Sequence, residues 1–257
     1  MTFPFPTIPP SSFKYTITLS STSSVDAYAV AIADGWNGTM LLEVIVPSSL
    51  TIIGTTATTP AITFNGGSFP KGAILINEGT IYGRGGNGSN GGNGYGSCYD
   101  FGSNSVQAQQ GGTAVYAHAS NSLTIINNGT IAGGGGGGRG GNSSQLIYGG
   151  GGGGGGVPYG AGAAAGLYGG ASAGSAASLT TAGNGGAGVA DASACGIGQW
   201  SSSGGEGGGL GEQGWTGQTM AAGYNDRWQR TGGAAGYSVF NYSNVTFSGN
   251  ALIGPTA

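Results

Sequence analysis

GGGGGGRGGNSSQLIYGGGGGGGG, residues 133–156, sets two glycine runs of six and eight residues around a short irregular stretch. A glycine run is ordinarily a linker, because glycine gives up the most conformational freedom on ordering. Here the runs recur. Glycine-rich segments lie at 83–96, 132–141, 149–156, 160–166, 183–188, 204–214 and 232–236, with side-chain-rich stretches between them. A glycine helix of the polyproline-II type has no internal hydrogen bonds, so its N–H and C=O groups point outward. If buried, they need partners. Neighbouring helices of the same kind can supply them, and only glycine lets backbones approach along every face. A single pair does not suffice. Ordering costs ~1–2 kcal/mol per residue, whereas a hydrogen bond returns ~0.5–1.5 kcal/mol net. An interior helix, bonded in several directions, can offset that cost. The pattern therefore predicts a slab of short helices running up and down, ~25 Å thick for eight residues at ~3.1 Å each. Ala and Ser within the glycine segments, as at 161–165, mark its outer faces, and irregular loops gather at its two ends. Such a rigid body with adaptable loops is an architecture for recognition.

Composition agrees. Only six of the 61 glycines precede residue 76, whereas seven of the nine prolines lie at or before Pro70. That break divides the chain into a β-rich region, 1–75, and a glycine-rich region, 76–257. Collagen is excluded, since glycine does not recur strictly at every third position and proline is scarce. Charged residues make up 6% and the net charge is −3, while 12 Tyr, 8 Phe and 4 Trp supply apolar material; a disordered tail would show the reverse balance. Six basic residues give no phosphate-binding face, so nucleic acid is not an expected partner. No apolar stretch approaches the ~18–20 residues of a membrane span. MTFPFPTIPP (1–10) lacks the basic start and apolar run of a secretory signal.

Residues 1–12 are rich in Pro and Phe and read as an extended arm, either a frayed terminus or a strap whose Phe3, Phe5 and Ile8 lie on a partner. Short strands follow at 13–19, beginning with Phe13, and at 27–33, 40–46, 50–53, 61–64 and 73–76, a β domain of about six strands. INEGTIYG (76–83) returns as INNGTIAG (126–133). Asn-x-Gly suits a tight turn, so each copy reads as strand–turn–strand feeding a glycine helix. Two copies do not make a solenoid. The apolar end, 237–250, reads as a hairpin.

The stretches between glycine segments are built of Tyr, Trp, Ser, Asn and Gln. That mixture suits a binding surface, where aromatics give area at low entropic cost and small polar residues adapt. The candidates are Tyr95, Tyr99 and Phe101, then Tyr148, Tyr168 and Trp200, and finally Trp215, Tyr224, Arg227, Trp228 and Arg230. The alternative is that such aromatics cap the slab, a reading that weighs most for Trp215, Tyr237 and Phe240, beside glycine or strand segments. Catalysis finds no constellation. His118 is the sole histidine and reads as structural, no phosphate loop precedes Lys14 or Lys71, and Cys98 and Cys195 lack metal-ligand spacing. The two cysteines are either free thiols or a staple between two loops. No metal or cofactor is expected, and the chain does not read as an enzyme.

INNGTIAGGGGGGRGG (126–141), the alternation of glycine-rich and irregular segments, and TGGAAGYSV (231–239) together resemble the receptor-recognising adhesins at the long-tail-fibre tips of T-even-type bacteriophages. The resemblance covers about 76–245 by motif and the first 75 residues by character. It implies a mostly non-α protein, with a small N-terminal β-rich domain followed by a sandwich of packed polyglycine-II helices with irregular recognition loops. It implies attachment of one copy, a monomer, to a trimeric tail fibre through the N-terminal domain. It also implies binding to a host outer-membrane protein such as a porin, and a place at the distal tip of the virion's long tail fibre; lipopolysaccharide is the other receptor class. The thiols at Cys98 and Cys195 have no place in the family's pattern. Three other classes compete. An enzyme acting on surface glycans would need paired carboxylates ~5–10 Å apart, and the sequence suggests none. An ice-binding bundle would need a flat small-residue face without bulky loops, and a silk-like structural protein would need many short repeats.

Overall fold

A computed structural model describes residues 13–257 except 66, 68, 94–105, 119, 144–148, 168–169, 192–198, 201 and 218–230. The strands are β1 (Lys14–Thr18), β2 (Val25–Asp26), β3 (Leu41–Val46), β4 (Thr51–Ile53), β5 (Ile62–Phe64), β6 (Ala73–Asn77), β7 (Thr80–Tyr82), β8 (Val115–Ala117), β9 (Leu123–Asn127), β10 (Thr130–Ala132), β11 (Ala190–Asp191), β12 (Gln199–Trp200), β13 (Val239–Phe240) and β14 (Val245–Gly249). Helix α1 spans Ala27–Ala33.

Three parallel sheets enclose one core. The first has the order β1-β3-β6-β9-β14, the second β10-β7-β4 and the third β13-β8-β5-β2. The chain visits them in rotation, β3 to β4 to β5, then β6 to β7 to β8, then β9 to β10 to β13, so each visit to all three is one coil of a triangular β-solenoid. Inward residues stack on their counterparts in the next coil. Ile17, Val44, Leu75 and Ile125 share one level of the first face, and Ile52, Ile81 and Ile131 form a column on the second; all are buried. Apolar burial at ~25 cal/mol per Å² makes these columns the stabilising centre.

Several expectations are corrected here. The two INxGTI copies are not hairpins. Their halves, β6–β7 and β9–β10, lie on different faces and pair with successive coils. The two copies are two turns of a solenoid. Asn77 and Asn127 point inward, fully buried, and Asn77 Nδ2 donates to Asn127 Oδ1 at 2.7 Å. Gly79 and Gly129 are not at positive φ. They are glycine because the coils touch there: a Cβ on Gly129 would fall under 3.0 Å from the Gly79 carbonyl. Residues 27–33 are helix rather than strand. The Asp26 carboxylate caps the Tyr28 and Ala29 amides, and Ala27 and Ala31, one turn apart, are the buried positions of an alanine-rich sequence. The end is not a hairpin either, since β13 and β14 pair in parallel with β8 and β9 in different sheets. The composition break near residue 75 falls inside β6, which pairs with β3 on one side and β9 on the other.

The glycine segments leave the solenoid at the corner between its second and third faces. One excursion runs from β7 to β8 and the other from β10 to β13. Among the described residues they form ten segments: 83–93, 106–113, 133–143, 149–157, 160–167, 171–178, 181–189, 202–209, 212–217 and 231–237. The hydrogen bonds repeat every three residues. Gly86, Ser89 and Gly92 donate to Gly135, Gly138 and Gly141 at 2.8–3.1 Å, while Gly85, Gly88 and Gly91 donate to Pro158, Ala161 and Ala164 on another side at 2.8–3.1 Å. Three is the period of a polyproline-II-type helix. Two segments are interior, 133–143 and 149–157, and each exchanges backbone bonds with six neighbours. The other eight surround them. The stretch 133–156 thus supplies both interior segments, and every residue of 131–141 and 149–158 is buried.

More segments are found than the glycine count suggested. Residues 106–113 and 171–178 belong to the lattice although they hold Gln109, Gln110, Ser172 and Ser175, and 204–214 is two segments joined by a turn. The reason is positional: a perimeter segment needs glycine only where it faces inward. Ala161 and Ala164 are exposed, as expected of an outer face, while Ala163 between them is buried. Perimeter side chains also replace missing backbone partners with the same period. Asn87, Asn90 and Asn93 Oδ1 accept from the Ala161, Ala164 and Leu167 amides, and Ser172, Ser175 and Ser178 Oγ accept from Ala187, Asn184 and Thr181.

Candidate recognition face

Segment directions follow from these bonds. The 83–93, 133–143 and 160–167 segments pair in parallel and run away from the solenoid; 149–157 runs antiparallel to 133–143 and returns. Continuing the alternation, the described segment ends that flank 94–105, 144–148, 168–169, 192–198 and 218–230 all lie at the end remote from the solenoid. The connections at 158–159, 179–180 and 210–211 are short and lie at the near end. The expectation of irregular connections rooted at both ends is thus corrected: the roots of these five are at one end.

The roots of four of these connections, those around 94–105, 144–148, 168–169 and 192–198, are bonded to one another. Gly92 N donates to the Gly141 carbonyl, Gly150 N to Gly92, Gly166 N to Gly150, Gly151 N to Ser202 and Ser202 N to Asn142, at 2.9–3.1 Å. The fourth connection rises on a two-stranded stem, with Ala190 opposite Trp200 and Asp191 opposite Gln199. The remote end is thus a single bonded platform, pre-organised as a binding surface requires.

Of the sequence candidates, Tyr95, Tyr99, Phe101, Tyr148, Tyr168, Tyr224, Arg227, Trp228 and Arg230 lie outside the described residues, as do Cys98, Cys195, Phe3, Phe5 and Ile8. Trp200 is placed by its backbone, at the base of the stem, opposite Ala190. Phe13 is 61% exposed just before β1, at the opposite end of the molecule. Next to it Tyr15 donates to the Asp34 carbonyl, with Asp34 Oδ2 3.1 Å away, which ties β1 to the C-terminus of α1. Partial desolvation first, then the hydrogen bond to Asp34 and its negative charge, raise the Tyr15 phenol above its ordinary pKa. Val30 and Ile32 on α1 are exposed as well, so the solenoid's first coil carries several uncovered apolar side chains.

One residue, Arg139, escaped the sequence reading. Trp215, read as a loop candidate or a cap, is 65% exposed, and its carbonyl accepts from Arg139 N on the interior segment. Arg139 itself is only 3% exposed, toward the remote end, and its guanidinium donates to Asn142 Oδ1 at 3.1 Å. Asn142 follows three residues after Arg139, on the same side of a segment with a three-residue period. That spacing was the available signal. Tyr237 and Phe240, also expected as caps, are half-buried on the third face of the solenoid. His118 Nδ1 lies 2.7 Å from Ser120 Oγ and accepts from the Ser120 amide, a local turn contact. Among the described residues no cluster of His, Cys, Asp and Glu is suited to a metal, and no helix is long and apolar enough to cross a membrane.

The fold is a solenoid carrying a glycine lattice whose five longer connections are rooted at one end. The comparisons give the family. The sequence matches the family described as phage tail fibre adhesin Gp38 over residues 12–256, and the chain belongs to it. It is accordingly a phage tail fibre adhesin, a virion component that attaches the phage to its host. The fold is similar to a chain in the crystal structure of the gp37-gp38 adhesin tip complex of the bacteriophage S16 long tail fiber, with a TM-score of 0.64 and 23% identity, covering 95% of this chain and 82% of that one. No curated protein matches.

Proposed function

We propose that this adhesin sits at the distal tip of a long tail fibre, fastened by its N-terminal region and facing the host with its five remote connections. The supporting observation is the segregation of the two ends. The described ends that flank all five irregular stretches share the end remote from the solenoid. The uncovered Phe13, Val30 and Ile32 lie at the solenoid's first coil. In this reading residues 1–75 form the attachment unit, with Phe3, Phe5, Ile8 and Phe13 seated on a trimeric fibre protein, and 76–257 form the receptor-binding unit. A protein of the S16 complex assembles with gp37, and a counterpart of that fibre chain is the partner proposed here. Tyr95, Tyr99, Phe101, Tyr148, Tyr168, Trp200, Tyr224, Arg227, Trp228 and Arg230 bind a porin-like outer-membrane protein. Aromatic and arginine side chains on a rigid platform are the usual hot spots of such contacts.

The test is adsorption of labelled protein to intact Gram-negative cells, parent and single outer-membrane-protein deletions. Loss in one deletion strain, and loss on replacing 218–230 with the fold retained, supports the reading. Binding that survives every porin deletion but disappears when lipopolysaccharide is truncated overturns the protein receptor in favour of a glycan.

A further inference from the structure

The third face of the solenoid carries a cleft that attachment and loop recognition leave unused. It has a volume of about 560 Å³ and lies where β5, β8 and β13 meet the near ends of two glycine segments. Its wall is a stack of rings. Phe240 and Tyr116 are register partners on adjacent coils, and their rings stack 5.3 Å apart at 9°. Tyr237 meets Phe240 edge-on at 5.4 Å. The register partner of Tyr116 on the next coil is Thr63, a small side chain on the same outward face. Strands are spaced ~4.8 Å apart, so the third place in the stack is open and about one ring thick.

The rest of the lining is neutral and hydrogen-bonding. Gln109 Oε1 accepts from Asn87 N, which leaves its Nε2 as a donor; Gln110 Nε2 donates to the Ala235 carbonyl, which leaves its Oε1 as an acceptor. Asn65 and Thr58 border the same cleft, and none of the described residues that line it is charged. An open flat ring face beside paired amide donors and acceptors suits a molecule with one apolar face and a rim of hydroxyls. Polarised C–H groups are attracted to the negative face of an aromatic ring, and a few well-placed polar groups fix orientation. The absence of charge disfavours an acidic sugar or a charged peptide.

We infer that this cleft binds a neutral pyranose of a polysaccharide chain, stacked on Tyr116 over Thr63. It lies on the flank of the adhesin, a glycine-segment length of ~25 Å from the remote end. A sugar chain can therefore be held there while the loops engage a different partner.

The experiment uses the full chain, with maltotriose, mannotriose and lactose as neutral probes and trigalacturonate as the acidic one. Saturation-transfer NMR and calorimetry measure binding. The informative variants are Tyr116→Ala, which removes the platform, and Thr63→Tyr, which fills the open place without removing a contact. The expected result is weak binding of at least one neutral probe but not of trigalacturonate, with Kd raised at least about tenfold in both variants, equivalent to 1.4 kcal/mol. An unchanged melting profile for Thr63→Tyr separates occlusion from unfolding. Binding of no neutral probe, or unchanged binding to Thr63→Tyr, overturns the inference. If Thr63→Tyr instead abolishes capture of the fibre protein, the cleft is a protein-docking site and the glycan assignment is wrong.

Discussion

The buried asparagine ladder makes a prediction that depends on the order of its members. Asn77 and Asn127 are register partners, both fully buried, yet they are not equivalent. Asn127 accepts from Asn77 Nδ2 at 2.7 Å and donates to the Asn250 carbonyl at 3.0 Å. Asn77 Nδ2 also reaches the Thr130 carbonyl at 3.2 Å, but Asn77 Oδ1 is buried without a partner. The cause is the next coil, where Val46 is the register partner of Asn77 and offers no donor. A buried unsatisfied polar group costs ~1–3 kcal/mol. Asn77→Leu removes one such group while stranding Asn127 Oδ1 and taking a long 3.2 Å donor from the Thr130 carbonyl, so its polar terms largely offset. Asn127→Leu relieves nothing: it takes from Asn77 Nδ2 the shorter of its two acceptors and from the part-buried Asn250 carbonyl its side-chain donor, for ~1–3 kcal/mol. Any overpacking by leucine is common to both sites. The expected difference of ~2 kcal/mol corresponds to a Tm lower by ~4–8 °C for Asn127→Leu, at ~2–4 °C per kcal/mol in a chain of this size. Scanning calorimetry of both variants at one scan rate measures it. Equal Tm values, or a larger loss for Asn77→Leu, would refute the unequal satisfaction on which the reasoning rests.

Further outcomes are expected elsewhere. Gly153→Ala places a methyl under 3.0 Å from the Gly138 carbonyl in the lattice interior and should leave no folded soluble protein, whereas Ala164→Ser on the perimeter should stay within ~0.5 kcal/mol of the parent in a thermal melt. Ser175→Ala removes the acceptor of the Asn184 amide at an exposed site; ~0.5–1.5 kcal/mol and faster exchange of that amide should follow, visible by hydrogen-exchange NMR. The raised Tyr15 pKa gives a signed pH effect. Its folded value lies above its unfolded one, so its stabilising contribution is complete below the ordinary phenol value of about 10 and is lost as pH rises through the folded value. Denaturation of the parent and of Tyr15→Phe on either side of that window should therefore converge at the alkaline end; a constant gap would contradict it. Deleting 1–12 should leave the melt unchanged and weaken capture by the fibre protein, measured by co-sedimentation.

The sequence displayed the lattice more readily than the solenoid. Glycine at buried positions has no other use, so 133–156 pointed straight to the interior, and the three-residue period was written in Asn87, Asn90 and Asn93 although it was not read there. The solenoid was hidden by its own insertions. Corresponding positions in successive coils lie 27, 31, 50 and 122 residues apart, from Lys14 to Leu41, Leu42 to Ala73, Ala73 to Leu123 and Leu123 to Val245. A search for a fixed repeat fails against such spacing, and only the two coils with the same Asn-x-Gly corner resembled each other. The coil before them turns instead through 47–50, where Leu50 N bonds to the Pro47 carbonyl. AYAVAIA (27–33) misled because alternating Ala and large residues satisfies a strand pattern, and Asp26 as a cap was the overlooked signal. Loop function was legible only as composition, because aromatic side chains over a rigid base look alike whether they cap or bind.

The attachment of both excursions to one corner of the coil limits how the lattice can change. Each excursion must come back to the strand that follows it, so segments enter and leave the lattice in twos. A new remote connection costs one outgoing and one returning segment, while a connection that merely lengthens or changes sequence costs nothing in the lattice. Variation should therefore be continuous in loop sequence and stepwise in loop number. An engineer transplanting a loop between relatives can cut at its bonded roots, but adding one means adding a pair of glycine segments and extending the perimeter to receive them.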